Sequence, residues 1–126
     1  MNNVMRIGLC VVLCGCILCF VGCSKKADEN KPMADVQAEA AKIDVAQLKA
    51  KAVEYKDAIV AKKAEIEKVA AKLKAIPVTE QMGTEAKALQ TDIANLNKTV
   101  SALTERFQVY YNKLKEKGGD VSGLEI

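Results

Sequence analysis

Between Met82 and Leu114 the apolar residues fall at Met82, Ala86, Leu89, Ile93, Leu96, Val100, Leu103, Phe107, Tyr110 and Leu114, in steps of four and three without a slip. That is the a/d spacing of a coiled-coil seam, with Ala86, Ile93, Val100, Phe107 and Leu114 at a and the others at d. So narrow a stripe has to be covered by a second helix. The same chain offers one upstream: Val45, Ala52, Ile59, Ile66 and Leu73 fall at a, and Leu48, Tyr55, Lys62, Val69 and Ile76 at d. Lys62 is the one polar break, expected to lay its methylene stem along the seam with its ammonium in solvent.

These two stripes predict an all-α fold in which two long helices form an antiparallel αα-hairpin of coiled-coil type, with the first helix over about 35–76 and the second over about 79–117. The boundaries follow from breakers and caps. Pro32 suits a first helical turn and Asp35 a cap, while Pro77 lacks an amide proton and stops the first helix near Ile76. Thr79 or Thr84 can begin the second helix, and Gly118-Gly119 ends it behind Lys113, Lys115 and Lys117, whose charges suit a helix carboxyl end. Starting at Thr79 gives the tighter turn. It pairs Leu73 with Met82, Ile66 with Leu89, Ile59 with Leu96, Tyr55 with Val100 and Leu48 with Phe107, and is the preferred register because only Lys62 opposite Ile93 is polar. Residues 118–126 are expected to be a disordered tail.

Composition narrows the function classes. The chain has 126 residues, room for one small domain. A net charge of +3 with the signs evenly mixed gives no nucleic-acid footprint. With no His there is no imidazole base and no ordinary zinc site. Asp35/Glu39 and Glu54/Asp57 share helical faces, but acid–base work needs a water-excluding cleft that a rod does not supply, so no catalytic residue, metal site or enzyme activity is expected. Lys42, Lys49, Lys56 and Lys63 recur every seven residues and are read as a solvated stripe. Phe107 and Tyr110 are read as core, with Tyr111 beside them.

The amino terminus carries the sharpest functional signal. Residues 1–6 end in Arg6, residues 7–22 are an unbroken apolar run, and Cys23-Ser24-Lys25-Lys26 follows. Sixteen residues in a helix reach roughly 24 Å, short of a bilayer core of about 30 Å. The arrangement is that of a secretory signal peptide, with an uncleaved anchor as the alternative. Lys25 and Lys26 lie on the wrong side for such an anchor. All five Cys lie at or before Cys23, so no disulfide framework is available to the body.

Phe20-Val21-Gly22-Cys23 resembles the lipobox of bacterial lipoproteins, with Phe20 where Leu is commonest. The resemblance covers residues 1–24. It implies cleavage between Gly22 and Cys23, a diacylglycerol thioether on Cys23 and acylation of its amine by a fatty acid such as palmitate. Residues 1–22 are then the signal peptide and residues 23–34 the lipidated Cys with a flexible tether. The mature protein would be held by its lipid on the cell membrane or outer membrane, facing the periplasm or exterior, with no cofactor beyond the lipid on Cys23. The expected role is a structural spacer or interaction scaffold of the cell envelope. The alternative is a periplasmic binding or chaperone-like module holding a protein partner, and self-association through the outer stripe at Val53 and Val60 is a further way to use the surface.

Overall fold

A computed structural model describes residues 27–126. The lipobox residues Phe20, Val21, Gly22 and Cys23 and the signal peptide lie outside that range. Among the described residues every regular element is helical: α1 (Met33–Lys42), α2 (Val45–Ala75), a 3₁₀ turn (Val78–Glu80) and α3 (Thr84–Glu116). α2 and α3 run antiparallel along each other, and α1 lies against α3. Arg106 reaches the residue run before α1, and Lys117 reaches the end of α1, so α1 runs parallel to the last turns of α3.

The single helix expected over 35–76 is divided at Ile43–Asp44. Asp44 is extended (φ −79°, ψ 175°) and closes a capping box: its Oδ1 accepts from Gln47 N at 2.8 Å, and Gln47 Oε1 accepts from Asp44 N at 3.3 Å. Two of the donors that α2 would leave unsatisfied are thereby met, which lowers the cost of breaking the helix at Asp44. The loose carboxyl end of α1 is met in turn by Lys117 Nζ, which donates to Ile43 O at 2.7 Å.

The turn between α2 and α3 is longer than the preferred register required. Pro77 ends α2, and Glu80 N donates to Pro77 O at 2.8 Å in the 3₁₀ turn. Gly83 N donates to Glu80 O at 2.8 Å, and a Cβ on Gly83 would stand 2.9 Å from that oxygen. The residue that lets α3 begin at Thr84 is therefore one without a side chain. Thr79 caps nothing, and Met82, expected in the seam, is 82% exposed outside the helix. Because Pro77–Gly83 is loop, the pairing slides. Tyr55 stacks on Tyr110 (centroids 5.5 Å apart), about three helical turns beyond the expected Val100, and Val45 lies against Gly119.

The seam residues do face inward, but the core is lopsided. Leu48, Ala52, Tyr55 and Ile59 of α2 and Leu103, Phe107, Tyr110 and Leu114 of α3 are buried together with Val36 and Ala40 of α1. Towards the turn, Ile66, Val69 and Leu73 face only α3, and Leu89, Ile93 and Leu96 are likewise half-buried. Two helices alone cannot enclose a seam; α1 and the carboxyl-terminal residues supply the missing cover at the other end.

Those carboxyl-terminal residues are packed rather than frayed. α3 ends in a Schellman motif at Gly118 (φ 71°), with Gly119 N donating to Leu114 O at 2.9 Å and Gly118 N to Lys115 O at 3.0 Å. The chain then folds back so that Leu124 is 1% exposed, inside the core cluster.

Candidate functional site

The densest polar cluster lies where the amino-terminal segment meets the helices. Ala27, Asp28 and Lys31 line an open cleft of about 740 Å³ with Glu39 of α1, Lys51, Glu54 and Tyr55 of α2, and Tyr110 of α3. Its floor is the Tyr55–Tyr110 stack, interplanar angle 29°. Tyr55 Oη donates to Asp28 O at 3.3 Å, and Tyr110 Oη donates to Glu39 Oε2 at 3.1 Å, the same oxygen that pairs with Lys31 Nζ. Lys51 Nζ pairs with Glu54 Oε2 at 2.9 Å. Glu54 Oε1 is buried with no partner among the described residues.

Arg106 completes the arrangement. It is 8% exposed, donating from Nε to Lys31 O at 2.9 Å and from Nη1 to Ala102 O at 2.7 Å. A guanidinium suits this position because its planar fork serves two carbonyls at once, which a lysine ammonium does less well. Residues 27–32, expected to be part of a free tether, are thus held from α2 by Tyr55, from α1 by Glu39 and from α3 by Arg106.

Electrostatics give the cleft a holding rather than a reactive character. Burial pushes the Tyr110 phenol up to about 12, with the neighbouring Tyr55 and Glu54 adding to the shift. Burial also raises Tyr55. Both hydroxyls therefore stay protonated donors at neutral pH, and the two lysines of the cleft are each matched by a carboxylate. Of the carboxylate pairs singled out in the sequence, Glu39 and Glu54 enter this cleft as ion-pair partners, while Asp35 and Asp57 are exposed.

The lysine stripe has a use that its spacing alone does not disclose. Lys49 Nζ pairs with Asp120 Oδ2 at 2.7 Å, and Lys56 Nζ donates to Gly123 O. Two members of the stripe thus strap the carboxyl-terminal segment to α2. Lys49 and the Ser122 hydroxyl and amide hold the Asp120 carboxyl well below its usual range. Lys62 is half-buried with Nζ on Glu65 Oε2 at 2.8 Å, a surface pair at the edge of the seam. Phe107 and Tyr110 are core, and Tyr111 is half-buried against Phe107 (5.6 Å).

Sequence reasoning passed over Arg106 and Asp44. Each had a signal: Arg106 is the only arginine after Arg6 in a lysine-rich chain, and Asp44-Val45-Ala46-Gln47 has capping-box spacing. Among the described residues no group of three or more His, Cys, Asp or Glu is placed to hold a metal ion, and no helix is long and apolar enough to cross a membrane. Compared with protein-family models, curated proteins and solved structures, the chain matches none.

Proposed function

We propose that this chain is an extracytoplasmic lipoprotein, cut before Cys23 and held to a membrane by lipid on that residue, whose helical body serves as a non-enzymatic spacer or scaffold of the cell envelope. The observation that carries the reading is the apolar run 7–22 closed by Phe20-Val21-Gly22-Cys23. We read the body as an antiparallel coiled-coil hairpin behind a short link. α2 is 31 residues long and α3 33, so the rod is roughly 45–50 Å in length. The test is labelling of cells with a radioactive fatty acid. Label is expected on the normal protein and not on Cys23→Ala; an unlabelled normal protein would remove the assignment.

A second reading, a binding module for a protein partner, draws on the turn. Val78 is 81% and Met82 82% exposed there, at the end of the rod where the seam is least covered. Large apolar side chains so placed cost solubility unless something meets them. The molecular mass of residues 24–126 in solution separates the two: a monomer favours the spacer, and a dimer dispersed by Val78→Ser with Met82→Ser favours the binding module.

A further inference from the structure

We propose that the rod lies along the bilayer rather than standing on its open end, with the flank around Ala27 turned to the lipid. The inference rests on the Cys23 anchor proposed above. Ala27 is not at an end of the rod. It lines one cleft with Glu54, Tyr55 and Tyr110 and another with Ala58, Ala61, Lys62 and Leu103. Glu54, which lines both clefts, stands roughly 14 Å from Val45, the first residue of α2, and Ala58–Lys62 stand roughly 20–25 Å from it, which puts Ala27 roughly 15–20 Å in from the open end.

The attachment at this level is fixed by the Tyr55, Arg106 and Glu39 contacts to residues 28–31. From Cys23 to Ala27 there are four Cα steps, which span no more than about 14 Å in any conformation. An acylated cysteine keeps its Cα at head-group level. A rod standing on its open end would carry Ala27 roughly 15–20 Å above that level, more than the fully extended link spans. A rod lying on the Ala27 flank satisfies the link without drawing acyl chains from the bilayer or prising residues 27–32 from the helices.

The surfaces on either side of α2 agree with this placement. At about 100° per residue, Lys49 and Lys56, which hold the carboxyl-terminal segment, point to the opposite side of Tyr55 from Lys51, Glu54, Ala58 and Ala61. That segment therefore covers the far flank and leaves the Ala27 flank clear. The near flank carries five acids, Asp28, Glu29, Glu39, Glu54 and Asp57, against three bases, Lys31, Lys51 and Lys62, a small acidic excess that gives no attraction to an anionic head-group layer. The anchor, not the charge, sets the approach, so salt should leave the orientation unchanged.

The test places single cysteines, one at a time, at Met82, Lys115, Ala61 and Lys63 in the acylated mature protein, residues 23–126, on phosphatidylcholine vesicles. A thiol-linked fluorophore then reports its distance to a head-group acceptor. The Cys23 sulfur is a thioether in this protein and does not take the label. Met82 and Lys115 probes are expected at distances within about 10 Å of each other, and the Ala61 probe closer to the lipid than Lys63, which points to the other flank at the same level. A Lys115 probe at the surface with Met82 roughly 50 Å further out would overturn the inference while leaving the anchor standing. Vesicle binding that persists in residues 24–126, which carry neither the signal peptide nor the lipidated Cys23, would instead remove the anchor, and this inference with it. Tyr55→Phe with Arg106→Ala, which frees residues 27–32, is expected to spread the Met82 and Lys115 distances apart; no change would overturn the role given to the clasp.

Discussion

Arg106 shows how much one side chain can organise in a thin protein. Its fork ties the incoming chain to α3 through Lys31 O while serving Ala102 O in its own helix. Arg106→Ala should cost about 1.5–3 kcal/mol in urea unfolding, the range for hydrogen bonds from a charged donor. It should also open the peptide bonds near Lys31 to protease, whereas Arg106→Lys should recover only part of both. Tyr110 gives a test by pH. Its phenol is raised to about 12 in the fold against 10.0 ordinarily, so between those values the unfolded chain releases a proton that the fold retains. Stability from this group is complete below pH 10 and is lost as pH rises towards 12. Denaturant midpoints measured from pH 9 to 12 should fall, and Tyr110→Phe should fall less steeply. None of these roles is written in the local sequence: a lone arginine and a seam tyrosine gain their partners only once residues 28–39 arrive.

At the level of elements, the heptads of α2 and α3 were legible because period alone determines which face is apolar. Where the helices begin and how they slide was not, because both depend on end effects worth a kilocalorie or so. Asp44→Ala removes an N-cap and should cost about 0.5–2 kcal/mol by thermal or chemical denaturation. Gly119 is legible as a stop signal yet serves a second purpose. A Cβ there would meet Leu114 Cδ1 and stand 2.9 Å from Val45 Cγ1, so Gly119→Ala should cost about 1–3 kcal/mol from overpacking. Gly118, with φ 71° and open space around it, should cost closer to about 1 kcal/mol on the same change, from backbone conformation alone. The packed carboxyl-terminal segment was illegible because the lysines that strap it down, Lys49 and Lys56, stand 71 and 67 residues away in sequence from Asp120 and Gly123. Leu124→Ala should cost about 2–5 kcal/mol, a loss a frayed tail would not show.

Taken whole, the molecule is a two-helix rod thickened at one end. Helix propensity, the alanine-rich surface and the seam spacing describe the rod, while the thickening depends on α1, residues 27–32 and residues 118–126 meeting in space. Hydrogen exchange should therefore be slowest around Leu48, Tyr55 and Leu114 and fastest towards the Pro77–Gly83 turn. Leu48→Ala should cost about 2–5 kcal/mol, and the half-exposed Leu89→Ala clearly less, because less apolar surface is lost from water. The clasp also has a consequence for the order in which the protein assembles. Arg106 and Lys31 are 75 residues apart in the chain and Lys49 and Asp120 71, whereas the bend at Pro77–Gly83 joins near neighbours. Short loops close first, so zippering starts at the bend and the latches shut last. Leu89→Ala should slow refolding, while Leu124→Ala should leave that rate alone and hasten unfolding. A nascent copy would therefore keep residues 27–32 loose until Arg106 has emerged, and its carboxyl-terminal latch open until Asp120 and Leu124 have followed.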